Sequence, residues 1–269
     1  MPMLKILLEI ILKFLYQDLN NLIYKMLIKL DSLVALYNIK FNGILHVGAH
    51  KCEEIKYYDN YLPRDKVLWI EAMQKMVDFS KSKYNDILIE CAVISDTKEI
   101  VKFNCANNGE SSSILEFGLH EYIYPGIKFI NSFNVETKLL NEIIYNYDIS
   151  FNFINLDIQG VELKALKSME EYLPNIDYIY TEVNGQNVYK DCAIITDIDD
   201  FLTKYDFVRI ETSWVDDYQT WGDALYIKTN KIPIPVPQPI TTQFSPLPLP
   251  KFLPIVNKNP HFLKKMVFV

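Results

Sequence analysis

Several strand-like runs of this chain end in residues that can bind a ligand or move a proton. "GILHVGAHKCEE" (43–54) ends an apolar run at Gly48 and carries His46, Ala49 and His50 around the turn. "VLWIEA" closes on Glu71 and Ala72, and the third run passes through Cys91 and Ala92. "INLDIQG" ends at Asp157, and "IYTEVN" at Glu182 and Asn184. A carboxylate at the end of a second strand suits a ribose, because it accepts both hydroxyl hydrogen bonds. Cys91 and Ala92 are small enough to leave room for a flat base beside it.

A glycine after a strand most often makes only a turn, and a lone acid at a strand end is most often solvated. The ordered set is more specific. Gly48 and Glu71 are 23 residues apart, close to the spacing of about 20 in a nucleoside-binding βαβ unit. The turn reads G-A-H-K-C-E, with one glycine where a dinucleotide loop carries three. His50 and Cys52 would crowd a pyrophosphate, and Glu53 and Glu54 would repel it at the helix start. A phosphate-free adenosine compound escapes both objections. S-adenosyl-L-methionine is such a compound, and its cationic sulfonium tolerates nearby acids. It is the cofactor expected here.

The elements that must position these residues alternate between β-type and helical patterns from residue 43 onward. "GILHVG" precedes a helix near 52–61, "KVLWIEA" a helix near 73–84, and "FNFINL" a helix to about 169. "EIVKFNCA" (99–106) reads as an added hairpin strand, and 131–147 as a strand passing into a helix. "DYIYTEVN" is a further strand, followed by a helix over 197–205. Such alternation predicts a doubly wound, mostly parallel α/β sheet covered on both faces. The last two runs, 207–214 and 223–229, are joined by a short polar loop that permits only an antiparallel pair.

Composition bounds the function. The chain has 269 residues, 49 % of them hydrophobic, and a formal net charge of −7. Its scattered Lys and Arg argue against a nucleic-acid partner. Four cysteines without a CxxC pair and no signal peptide predict reduced thiols and a cytoplasmic location. The four histidines lack HExxH spacing, so a zinc hydrolase is not expected. Residues 3–38 read as one or two N-terminal helices packed on the domain or on a second subunit, with a membrane-surface helix as the sharper alternative. Nine prolines fall within 232–260, which predicts an extended arm against the domain or a homodimer partner. The expected organisation is a helical extension over 1–41, a catalytic domain over 42–230 and a proline-rich arm over 231–269.

"GILHVGAHKCEE", "WIEA", "NNGESSSIL", "NLDIQGVELKALKSM" and "IYTEVN" together resemble the FkbM-type S-adenosylmethionine-dependent methyltransferases, over roughly residues 42–228. The resemblance implies a class I methyltransferase (Rossmann-like) fold, a seven-stranded sheet with its last strand antiparallel. It also implies O-methyl transfer, often to sugar or polyketide-type hydroxyls, and places Ser112 and Ser113 near the pocket. The chain departs from the family pattern at three places. His46 stands where an acid is expected, His50 where Asn is frequent, and Cys52 where the turn has a later glycine.

A sugar hydroxyl is a weak nucleophile, so a general base is expected. Asp157 ranks first for that role, His50 second and Glu182 third. His46, Gly48, Ala49, Glu71, Ala72, Cys91, Ala92 and Ser112 are the expected cofactor contacts. Asp157, Glu182 and Asn184 also offer oxygen ligands for Mg²⁺, although hydroxyl binding is the simpler use of the last two. Trp214 and Trp221 flank the final loop, where they either pack the rim or stack on a sugar. Two rival readings stand beside the methyltransferase. One is a nicotinamide-dependent sugar enzyme, which the single-glycine turn disfavours. The other is a non-catalytic module with a vestigial nucleoside site.

Overall fold

The structure is a computed structural model that describes residues 28–233. Of the one or two helices expected over residues 3–38, Leu30–Tyr37 is present; the part before residue 28 and the proline-rich arm beyond 233 lie outside the described residues, as do the membrane and subunit contacts expected of them. Nine strands are present among the described residues: β1 Ile44–Val47, β2 Val67–Glu71, β3 Leu88–Cys91, β4 Ile100–Ala106, β5 Phe129–Glu136, β6 Phe153–Leu156, β7 Tyr178–Asn184, β8 Phe207–Trp214 and β9 Trp221–Lys228. Helices α1 Leu30–Tyr37, α2 Ile55–Tyr58, α3 Gln74–Lys83, α4 His120–Ile123, α5 Leu140–Ile144, α6 Glu162–Lys167 and α7 Ile195–Thr203 connect or cover them.

Seven strands form one sheet in the order β3-β2-β1-β6-β7-β9-β8. The first five of that order run parallel, and β9 is antiparallel to both β7 and β8. This is the fold expected from the sequence. Alternation along the strands feeds two cores. Leu45, Val47, Leu68, Ile70, Ile154 and Leu156 enter one core, while Ile44, Val67, Trp69 and Phe153 enter the other. The expected hairpin is β4 with β5, a separate two-stranded ribbon, but residues 107–128 join its strands instead of a tight turn. The helix expected near 52–61 shortens to the single turn of α2. Cys52 holds a left-handed φ of 56°, which delays the start. Pro63 disfavours helical geometry in the residue before it.

Strand register then places polar residues in two rows. His46 lies beside Trp69 and Asn155, Asn155 beside Tyr180, and Tyr180 beside Leu225. Two residues further on, the same face carries Gly48, Glu71, Asp157, Glu182 and Asp223, with Glu182 directly opposite Asp223. Tyr58 of α2 secures the lower row. Its hydroxyl accepts a bond from Asn155 Nδ2 at 2.9 Å and lies 3.0 Å from His46 Nδ1.

Two turns bring the upper row to the sheet edge. Gly48 has φ +95°, and a Cβ added there would stand 1.8 Å from the carbonyl oxygen of Asp157. The glycine that the sequence suggests for ligand approach is therefore required by the neighbouring strand itself. After β6, Gln159 (φ 60°) and Gly160 (φ 94°) turn the chain into α6. The buried Glu162 carboxylate fastens this turn by accepting the N–H groups of Ile158 (3.0 Å) and Gly160 (3.1 Å). Burial raises the Glu162 carboxyl to about 7, against the pull of those N–H groups.

Gly48→Ala must either move β6 or strain its own φ, and it should destabilise the domain by about 3 kcal/mol or more, read as a drop in the urea midpoint. For Glu162 the folded value lies above the unfolded one, so its contribution is fully present below about pH 4.5 and is lost as pH rises through about 7. The stability difference between wild type and Glu162→Gln should therefore change over that window, in the sense that wild type loses ground as pH rises. A pH-independent difference would contradict this assignment.

Candidate active site

The strand order reverses between β1 and β6, and ligands of open α/β sheets bind outside the strand ends at such a point. A cavity of about 960 Å³ opens there, at the upper end of the usual ~300–1,000 Å³ range for ligand pockets. The upper polar row forms its floor. Residues 109–114 and 120–127, from the β4–β5 connection, form the facing wall. Backbone bonds stitch that wall to the segment after β7: Gly118 N–H to Val188 O (2.9 Å), Leu119 N–H to Asn187 O (2.9 Å) and His120 N–H to Val188 O (3.0 Å).

Glu71 sits where the sequence places it. It is 5 % exposed, and both oxygens are held by backbone donors, His50 N–H at 2.7 Å and Met73 N–H at 2.8 Å. Each oxygen keeps a further acceptor site. Burial raises its carboxyl above the ordinary value, more than the two N–H groups lower it. Ala49, Ala72, Ala92 and Ser112 also line the cavity. The Ser112 hydroxyl is engaged within its own loop, donating to Gly109 O at 2.7 Å and accepting from Ala106 N–H at 3.0 Å. Ser113 likewise lines the cavity, but its hydroxyl donates to Gln159 O. Cys91 departs from the expectation. It pairs with Glu71 on the same sheet face but is not among the cavity-lining residues; it packs against the core that holds Trp69, with its thiol toward Ala72 O at 3.5 Å. Ala92, one step along the strand, takes the lining position.

His46 is 3 % exposed, stacks at 4.6 Å on Trp69 and has its pKa driven down to about 3 by burial. A neutral imidazole thus occupies position 46. His50 is different. Its Nδ1 lies 3.0 Å from Glu53 and 3.9 Å from Glu110. Burial lowers its pKa, but the Glu53 hydrogen bond and charge outweigh this and the net shift is upward. Its Nε2 is buried and has no protein partner; with Nδ1–H on Glu53, Nε2 is a donor toward an anionic group in the imidazolium, the form that Glu53 favours. Glu54, raised to about 7 by burial and then by the Glu53 charge, also lines this end of the cavity.

Asp157 is open to the cavity yet lies deep in the fold, whereas Glu182 is 7 % exposed. The side-chain amide of Gln159 donates to both, at 2.7 Å to Asp157 Oδ1 and 2.9 Å to Glu182 Oε2. Burial raises both carboxyls, Glu182 the further because Asp157, Glu162 and Asp223 add their charges. Asn184, the third of the expected oxygen ligands, is fully buried, is not among the cavity-lining residues, and has no partner for its amide. The expected Mg²⁺ trio is therefore not brought together, and among the described residues no cluster of three or more His, Cys, Asp or Glu is placed to hold a metal.

Sequence reasoning missed several lining residues. Gln159 sits two places beyond Asp157 and was readable within "LDIQG". Asp223 follows from the antiparallel register opposite Glu182. His120 opens the single-turn helix α4, and Tyr124 and Tyr189 come from irregular segments; none carries a periodic signal. The His120 ring stacks on Phe117 at 4.2 Å, and burial lowers its pKa to about 4. Trp221 lines the cavity and donates its Nε1–H to the Tyr124 hydroxyl at 2.9 Å, while Trp214 packs on the core.

No curated protein matches the chain. Among solved structures it is similar to a magnesium protoporphyrin IX methyltransferase from Synechocystis with bound S-adenosylmethionine, at 12 % identity over 74 % of this chain and 77 % of that one, with a TM-score of 0.41. TrmK from M. capricolum, in complex with S-adenosylhomocysteine, is 10 % identical over 78 % of this chain and 72 % of that one, with a TM-score of 0.41. Fibrillarin from Aeropyrum pernix is 8 % identical over 73 % of each chain, with a TM-score of 0.43. Residues 46–209, which run from the Gly48 turn through Glu71, Asp157 and Glu182, match the methyltransferase FkbM domain, and the chain belongs to that family.

Proposed function

We propose that this methyltransferase takes its methyl group from S-adenosyl-L-methionine and passes it to a hydroxyl of a sugar or glycoconjugate. The observation that carries the cofactor assignment is Glu71. Its two oxygens are fixed by backbone N–H groups at the strand end beside the switch point, with acceptor sites left for a ribose diol. Ala92 and its neighbours Val93 and Ile94 supply a flat apolar wall for a base. Glu54 and Asp157 suit an ammonium group, and the unpaired His50 Nε2 suits a carboxylate.

When bound, the cofactor supplies an electrophilic methyl group on a positively charged sulfur. The protein's part is alignment, exclusion of water and removal of one proton. Asp157 is the residue that accepts the acceptor's hydroxyl proton, because, of the two acids that share the Gln159 amide, it is the one open to the cavity. Trp221 and Tyr124 offer aromatic faces against a sugar ring, with Glu182 and Asp223 as hydroxyl acceptors.

Calorimetric titration with S-adenosylhomocysteine should give micromolar binding, with none for NAD. Glu71→Ala should weaken it by about tenfold or more, since two hydrogen bonds to a charged group are lost. Binding to NAD alone, or to neither in a folded sample, would sink the assignment. Transfer of a labelled methyl group from S-adenosylmethionine into a glycan extract should collapse in Asp157→Ala while the urea midpoint holds. Retained transfer would remove Asp157 as the base.

A further inference from the structure

We propose that Gln159, locked by Tyr189, is a positioning residue that keeps Asp157 ionised while Glu182 holds the proton the two acids share. The inference rests on the reading of Asp157 as the base and adds a residue to it.

The geometry is directional. Both N–H groups of the Gln159 amide are used, one on each carboxyl. Its oxygen lies 2.6 Å from the Tyr189 hydroxyl, nearer than the alternative acceptor, Ser111 O at 3.2 Å. An amide oxygen can only accept, so Tyr189 donates, and this fixes which way the amide faces. A flipped amide would turn its oxygen onto two carboxyl oxygens and give up the shorter of the two Tyr189 hydroxyl bonds. Tyr189 is 1 % exposed and cannot swing away. The Gln159 backbone is pinned as well, with φ 60° and its carbonyl accepting the Ser113 hydroxyl at 2.8 Å.

The two acids are not equivalent. Glu182 is enclosed, faces Asp223 across the strand pair and feels Glu162 from α6. Two acids bridged by one amide nitrogen repel when both are ionised, so the enclosed acid keeps the proton. Asp157 opens to the cavity and faces His50 on the Gly48 turn, which favours its charge. Glu53 and Glu54 on that turn, and Glu110 on the opposite wall, act against it. Tyr180 and Tyr189, both buried and neutral, complete the surroundings. The Gln159 N–H bond is the donor contact that tips Asp157 toward the ionised form.

The test is a pH titration of side-chain carboxyl carbons by ¹³C NMR on the full chain, for wild type, Gln159→Ala and Tyr189→Phe. Both variants should move the Asp157 midpoint upward, Gln159→Ala by about one pH unit, as expected for one charge-assisted hydrogen bond. Gln159→Glu, which adds a third carboxyl, should move it further. Tyr189→Phe removes one oxygen and carries the test if Gln159→Ala does not fold. An unchanged Asp157 midpoint in a folded Tyr189→Phe would overturn the proposal. Failure of the base assignment looks different, because there the midpoint moves but Asp157→Ala still transfers methyl groups.

Discussion

The space between Gly48 and the carbonyl of Asp157 admits no side-chain atom. Two strands far apart in sequence thereby reach van der Waals contact at the place where the sheet order reverses. The turn after β1 has to leave the sheet in a left-handed conformation, and it does so at Gly48, His50 and Cys52. That path presents the His50 N–H to Glu71 and turns its imidazole toward Glu53 and Glu110. Cofactor-side and acid-side chemistry thus share one origin, the close approach of two backbones.

Beneath the acids lies a row that is polar but closed on itself. His46, Tyr58 and Asn155 satisfy one another, and Trp69 covers the imidazole. The neutral histidine at position 46 adds no negative charge below a cavity that already holds Glu54, Glu71, Asp157, Glu182 and Asp223. Each additional ionised carboxylate in such a space raises the others' pKa, and an uncharged residue at 46 adds nothing to that repulsion.

Much of this was legible beforehand because it is periodic. Strand alternation and the positions of Gly48, Glu71, Asp157 and Glu182 follow from patterns two or about twenty residues long, and the antiparallel β9 follows from a short loop. Cys91 shares the face of Glu71, but its side chain is taken up by the core beside Trp69, and Ala92, just past the strand end, lines the cavity instead. Asn184 was expected beside Glu182, but convergence of side chains in space leaves no mark in sequence. The wall residues His120, Tyr124 and Tyr189 belong to segments whose conformation is fixed by distant partners.

That wall bears on how the molecule comes to be folded. Gly118 and Val188 are joined by a backbone bond across 70 positions of chain. Closing a long loop costs little extra free energy, about 0.6 kcal/mol per doubling of length, whereas contacts distant in sequence slow the conformational search. Separation on this scale is a burden on rate more than on equilibrium. The floor of the cavity can be laid down as its strands pair, but the cavity as an enclosed space has to wait until residues 187–189 have been made and docked.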